Sequence, residues 1–211
     1  MQRLSSVSYL SKENKFHILK KKKIKRVFSI VIIILLIVIN GILYVFSPIT
    51  IFFSIRNIIL GVMTGVFVFF VNFSITYLIT FFRKKINRSA KFINNLSILD
   101  LDLISFSLIQ TFLVITLLAS VEEFIFRSFL LSFFNRLFSP LISIAVNALL
   151  FYLFHFNKKV IELMFMAIVF SAITLYSNNL LSVIVAHSLN NIMVYVYKKY
   201  LFSKTKVDII E

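Results

Sequence analysis

The chain has no cysteine, no tryptophan, three glycines, two prolines and only eight acidic residues among 211. Without cysteine there is no disulfide framework, which excludes a disulfide-stapled secreted domain. It also excludes a surface lipoprotein, whose lipid needs a cysteine. No glycine follows residue 65, so the later two thirds hold no glycine-rich loop. Polar residues are scarce in general, since 60% of the chain is hydrophobic and 26 residues are Phe. Soluble domains run nearer about 45–50% apolar. A chain of this size cannot hide that much apolar surface in one water-soluble core. An ordinary globular enzyme and a disordered regulator are therefore excluded. What remains is an all-α, polytopic transmembrane helical bundle.

The charge balance is +15, from 23 Lys and Arg. In a soluble protein this would suggest nucleic acid. Here basic residues flank membrane spans on their cytoplasmic side, so the expected partner is the lipid bilayer and not nucleic acid. The richness in Ile, Asn, Lys and Phe fits an AT-rich bacterial genome.

Residues 1–26 form a basic tail with nine Lys/Arg and a single acid, Glu13. Val27 to Phe46 is long enough to cross about 30 Å of hydrocarbon. It is too long for a signal-peptide core and reads as a retained first helix. Ile58 to Phe82 is the second span, with Asn72 midway and expected to bond a neighbouring helix. Arg83, Lys84, Lys85, Arg88 and Lys91 make a second basic loop. Leu103 to Asn135 is one long tilted or bent helix, or two short ones breaking near Ser120. Ser139 and Pro140 suit a helix start, as N-cap and first helical residue. That span runs to Phe156. Val160 to Tyr176 follows, then a Ser177-Asn178-Asn179 turn and a last span from Leu180 to Tyr197. The domain division is thus a tail at 1–26, helices and a basic loop at 27–99, a core at 100–197 and a second tail at 198–211.

Counting 103–135 as one span gives six. The segments then cytoplasmic hold 20 of the 23 Lys/Arg. The positive-inside tendency favours this arrangement, with both termini cytoplasmic in a multi-pass cell-membrane protein. Seven spans would send the Lys158-Lys159 pair and the C-terminal lysines outside.

Ionisable residues within spans are costly, about 2.5–3.5 kcal/mol each at a helix centre. Asp100, Asp102 and Glu162 sit near membrane edges. The central exceptions are Glu122, Glu123, Arg127, His155 and His187. Glu123 and Arg127 are spaced i, i+4 in the favourable order for an ion pair. Glu122 points about 100° away around the helix and has no helical partner. An unpaired carboxylate at this depth marks a functional site. Phe151 and His155 share one helix face, as do His187 and Asn191. Membrane helices also use His and Asn as interhelical hydrogen-bond donors and acceptors. Two such His and a spare Glu on three helices exceed what packing alone requires. The third His, His17, lies in the basic tail and reads as solvated.

Three motifs stand in order within apolar helices. Glu122-Glu123-Phe124-Ile125-Phe126-Arg127 matches E-E-x-x-x-R. Phe151 to His155 matches F-x-x-x-H, and His187 to Asn191 matches H-x-x-x-N. Over about residues 100–197 the chain resembles the CPBP family of intramembrane proteases, which includes type II CAAX prenyl proteases and bacteriocin-immunity proteins. The resemblance implies an endopeptidase acting on a membrane-associated peptide or protein. It implies Glu122 as general base, His155 sharing the water, and His187 with Asn191 as oxyanion pair. Glu123, Arg127 and Phe151 are then supporting residues. Peptide hydrolysis needs those three functions: activated water, proton donor and oxyanion stabilisation. Glu122, His155 and His187 also make a His₂Glu set of the kind that holds Zn²⁺ with one open position, so the cofactor question stays open. Family members usually carry Gly after the motif Arg, where this chain has Ser128. They often have Gly in the helix before the last motif, where this chain has Ala167, Ser171 and Ala172.

Other intramembrane proteases do not match. An aspartyl type needs two intramembrane Asp, a rhomboid-like type a glycine-rich nucleophile motif, and a site-2-like type H-E-x-x-H. A bacteriocin self-immunity protein, proteolytic or not, and a catalytically inactive membrane scaffold remain alternatives.

Overall fold

A long apolar run in a membrane must satisfy its own backbone hydrogen bonds, and the helix does so within one segment. The computed structural model describes residues 29–86, 107–155 and 160–207, and those residues form helices without a strand. The basic tail with His17, Arg88 and Lys91 of the second basic loop, Asp100, Asp102 and the Lys158-Lys159 pair lie outside the described residues, whereas Arg83, Lys84 and Lys85 are helical, in the last turn of α2. The helices are α1 (Ser29–Phe46), α2 (Ile55–Ile86), α3 (Leu108–Glu123), α4 (Leu131–Leu137), α5 (Pro140–His155), α6 (Val160–Ser177) and α7 (Leu180–Val207). A π-helical segment, Phe124–Leu130, joins α3 to α4 without a break.

The described part of the 103–135 region is thus one continuous helical run, Leu108–Leu137, long and apolar enough to cross a membrane. Ser107 caps its start. The Ser107 side chain accepts from Gln110 N at 3.3 Å, and Gln110 Oε1 accepts from Ser107 N at 3.1 Å. This reciprocal box satisfies two orphan amide groups. There is no break at Ser120, whose hydroxyl donates back to Thr116 O at 2.9 Å. Five passes have full membrane length, and α5 is a shorter apolar helix.

Two glycines set the central contact. A Cβ on Gly61 would lie 2.5 Å from Ser182 O, and one on Gly65 would lie 2.7 Å from Ala186 O. Only glycine lets α2 approach α7 this closely, as in other membrane helix pairs. The contact at Gly65 is immediately beside His187.

The Ser177–Asn179 turn is found where expected. Asn178 takes a left-handed φ of 46°, which Asn tolerates. Asn179 Oδ1 caps α7 through Leu181 N at 2.9 Å, and its Nδ2 donates to Phe52 O at 2.7 Å. Ser171, at a position where a glycine was an alternative, accepts from Asn147 Nδ2 at 2.9 Å and locks α5 to α6. Glu162 accepts from Thr76 on α2 at 3.1 Å. The Oδ1 of Asn72 is buried and has no hydrogen-bond partner among the described residues.

Candidate active site

Glu122 lies midway along the Leu108–Leu137 pass, about 21 Å from either end at 1.5 Å per residue. A charged group at that depth needs polar company. The bundle brings His155, at the end of α5, and His187, on α7, to the same carboxylate. Glu122 Oε2 is 3.6 Å from His155 Nε2 and 3.7 Å from His187 Nε2. These separations are ion-pair approaches rather than direct hydrogen bonds.

The second nitrogen of each ring decides what the first can do. His155 Nδ1 is 2.8 Å from Phe151 O. A carbonyl can only accept, so Nδ1 carries the hydrogen and neutral His155 keeps its lone pair on Nε2. His187 Nδ1 is 2.6 Å from Glu123 Oε1, and the same logic puts the lone pair of neutral His187 on Nε2. Two Nε2 lone pairs and a carboxylate oxygen therefore face one another. Three acceptors in one place suit a bound donor such as water. Glu122 is also the accessible member, with its side chain 34% exposed against 0% for Glu123.

Glu123 and Arg127 sit behind this trio. Their closest approach is Oε2 to Nε at 3.2 Å, with both side chains fully buried. The alignment is poor, and none of the three Arg127 nitrogens has a hydrogen-bond partner among the described residues. The guanidinium is held instead by aromatic faces. Its Cζ is 4.5 Å from the Phe151 ring centre, 5.6 Å from Phe170 and 6.0 Å from Phe126. Such contacts are worth about 2 kcal/mol when desolvated. Phe151 also packs on His155, with ring centres 4.3 Å apart, and Phe170 packs on His187 at 5.5 Å. Glu123 thus does two things: it pairs with Arg127 and orients His187.

Asn191 lies one turn beyond His187 on the same helix face. Its Oδ1 accepts from Asn190 Nδ2 at 3.3 Å, which leaves the Asn191 amide hydrogens for another acceptor. Among the sequence-predicted residues, Glu122, Glu123, Arg127, Phe151, His155 and His187 are brought together by direct contacts. The side-chain contact seen for Asn191 is the one with Asn190. Sequence reasoning missed Phe170, which carries no signal among 26 Phe. It also missed the π-segment and the hydroxyl of Ser128 as a hydrogen-bonding group.

The donor set of the trio is chemically suited to Zn²⁺, but its spacing is wide. Tetrahedral ligands on bonds of about 2.0–2.1 Å stand about 3.3 Å apart. Among the described residues no group of three or more His, Asp or Glu side chains is set to hold a metal ion. As placed, the trio does not fit the ion.

A family model described as type II CAAX prenyl endopeptidase, Rce1-like, matches residues 104–193. Over residues 104–193 the chain is similar to this family. The matched segment contains all three motifs and every side chain of the trio. The Rce1-like family is a protease family, and the matched segment lies in a helical bundle with membrane-length apolar helices. No curated protein matches the chain, and no solved structure does.

Proposed function

We propose that the chain is an intramembrane endopeptidase that hydrolyses a peptide bond of a membrane-associated peptide or protein with a glutamate-activated water. The observation that carries this reading is the meeting of Glu122 Oε2 with two histidine Nε2 atoms whose hydrogens are tied elsewhere. Water donates one hydrogen to Glu122 Oε2 and the other to a histidine Nε2, and turns its own lone pair toward the scissile carbonyl. Glu122 takes the proton as the C–O bond forms. The tetrahedral oxygen accepts from the Asn191 amide. Protonated Glu122 then gives its proton to the departing amine as the C–N bond breaks, so the proton count closes on one residue. Sequence reasoning grouped His187 with Asn191 at the oxyanion. Its bond to Glu123 favours a place beside the water instead.

The likeness of residues 104–193 to type II CAAX prenyl endopeptidases supports a C-terminal C-a-a-X peptide at the membrane as the substrate to test first. The test uses purified protein in liposomes with a farnesylated C-a-a-X peptide and its unprenylated counterpart. Cleavage of the farnesylated peptide, lost in Glu122→Gln, is the expected result. Absence of cleavage of both peptides counts against the substrate assignment. A chelator arm separates two chemistries. Water activation by Glu122 alone predicts unchanged cleavage. Loss in chelator with recovery on Zn²⁺ would make Glu122, His155 and His187 a ligand set.

We further propose that both termini are cytoplasmic. Counting α5 as a sixth pass beside the five membrane-length helices gives an even number, which puts both ends on one side, and the basic segments favour the cytoplasm. A reporter fused after Glu211 should give a cytoplasmic signal. An exterior signal there would overturn this orientation.

A further inference from the structure

Helix α1 lies outside the matched segment and has little of its surface buried. Two polar ties join α1 and the turn after it to the α3 pass. Asn40 Nδ2 donates to Leu117 O at 3.1 Å, and to Leu36 O in its own helix at 2.8 Å. Just beyond α1, Ser47 and Ile49 close a ring with Ser128. Ser47 donates its hydroxyl hydrogen to Ile49 O. The Ser128 hydroxyl therefore donates to Ser47 Oγ and accepts from Ile49 N–H at 3.2 Å. Each donor is used once, and Ser128 is fully buried. One tie stands five residues before Glu122 and the other directly after Arg127. Together they bracket the E-E-x-x-x-R motif.

The bracket spans an unusual backbone. Phe124–Leu130 is π-helical, and Leu131 N–H reaches back to Phe126 O. A π turn holds one residue more than an α turn, and its geometry is less favourable. Relaxation to an α-helix would shift the register by one residue. That turns the helix about 100° on one side relative to the other. Glu122 would then leave the two histidines, or Arg127 would leave its aromatic cradle. Something outside α3 must hold the register, and the two ties are in place to do it.

We propose that α1 and the turn after it are a brace for the π register of α3, with Asn40, Ser47 and Ser128 as positioning residues for the Glu122 carboxylate. The kinetic consequence rests on the protease reading; the structural one does not.

The experiment compares Ser47→Ala, Asn40→Leu and Ser47→Thr with the parent chain. It measures kcat, KM and hydrogen exchange over residues 117–131 in liposomes. Ser47 is half-buried and spares the packed Ser128 site, so its variants should fold. Misplacement of a reacting group by about 1 Å costs up to ~100-fold in rate. In Ser47→Ala, kcat should therefore fall roughly tenfold to 100-fold with KM within about twofold. Exchange over the π-segment should rise about tenfold in Ser47→Ala and in Asn40→Leu. Ser47→Thr restores the hydroxyl and should return both readouts to the parent. Parent-like exchange in Ser47→Ala and Asn40→Leu overturns the brace, whatever the kinetics. Raised exchange with parent-like kcat overturns the positioning role. Raised exchange in a chain whose parent cleaves neither peptide supports the brace and counts against the C-a-a-X substrate assignment.

Discussion

Glu122→Gln should accumulate in the membrane like the parent chain and cleave about 10²–10⁴-fold more slowly. An amide keeps the volume of the carboxylate but cannot take the water proton. The substitution removes a charge from the middle of a membrane pass, so folding should survive or improve slightly. The geometry sharpens the expectation. Glu122 Oε2 approaches the two Nε2 atoms only at 3.6 and 3.7 Å, so few fixed contacts are lost. Membrane abundance, thermal melting and peptide cleavage should be measured side by side. A Glu122→Gln protein that cleaves like the parent would remove Glu122 as the general base and with it the glutamate-activated water.

Arg127→Ala has the opposite profile: the folded protein itself should be lost. The substitution strips the cation from a fully buried carboxylate, which typically costs about 3–5 kcal/mol. It also removes the three aromatic contacts of the guanidinium. Against a total stability of about 5–15 kcal/mol, that loss is enough to deplete the protein from the membrane. Arg127→Lys should fall between, because an ammonium cannot lie flat on Phe151. Removing both charges together, as Glu123→Gln with Arg127→Met, should recover much of the stability. It should not recover activity, because His187 then lacks the carboxylate that orients its ring. An Arg127→Ala protein that accumulates and melts like the parent would show that the pair is no structural brace.

Much of this arrangement was open to inspection in the linear chain. Composition alone required a helical membrane bundle, because 60% apolar residues in 211 have no other stable burial. Spacing alone paired Glu123 with Arg127, since residues four apart on a helix are neighbours. The same rule left Glu122 apart and put His187 and Asn191 on one face. These are local properties, and the helix repeat translates sequence spacing directly into geometry.

Tertiary structure decided what local spacing cannot reach. Glu123 and His187 are 64 residues apart, yet their hydrogen bond fixes the tautomer of His187. In the proposed mechanism that bond gives His187 a place beside Glu122 as an acceptor, where the sequence had grouped it with Asn191. Phe170 became part of the site only because α6 packs between Arg127 and His187. Packing left the Oδ1 of Asn72 without a hydrogen-bond partner among the described residues. Ser128 looked like a mere departure from a glycine position. In the fold its hydroxyl meets a turn 79 residues away, at Ile49. The π register from Phe124 to Leu130 has the same origin. Nothing in the sequence FIFRSFL demands an extra residue per turn. Its contacts to other helices fix that register, because backbone geometry this unfavourable persists only where surrounding structure over-determines it.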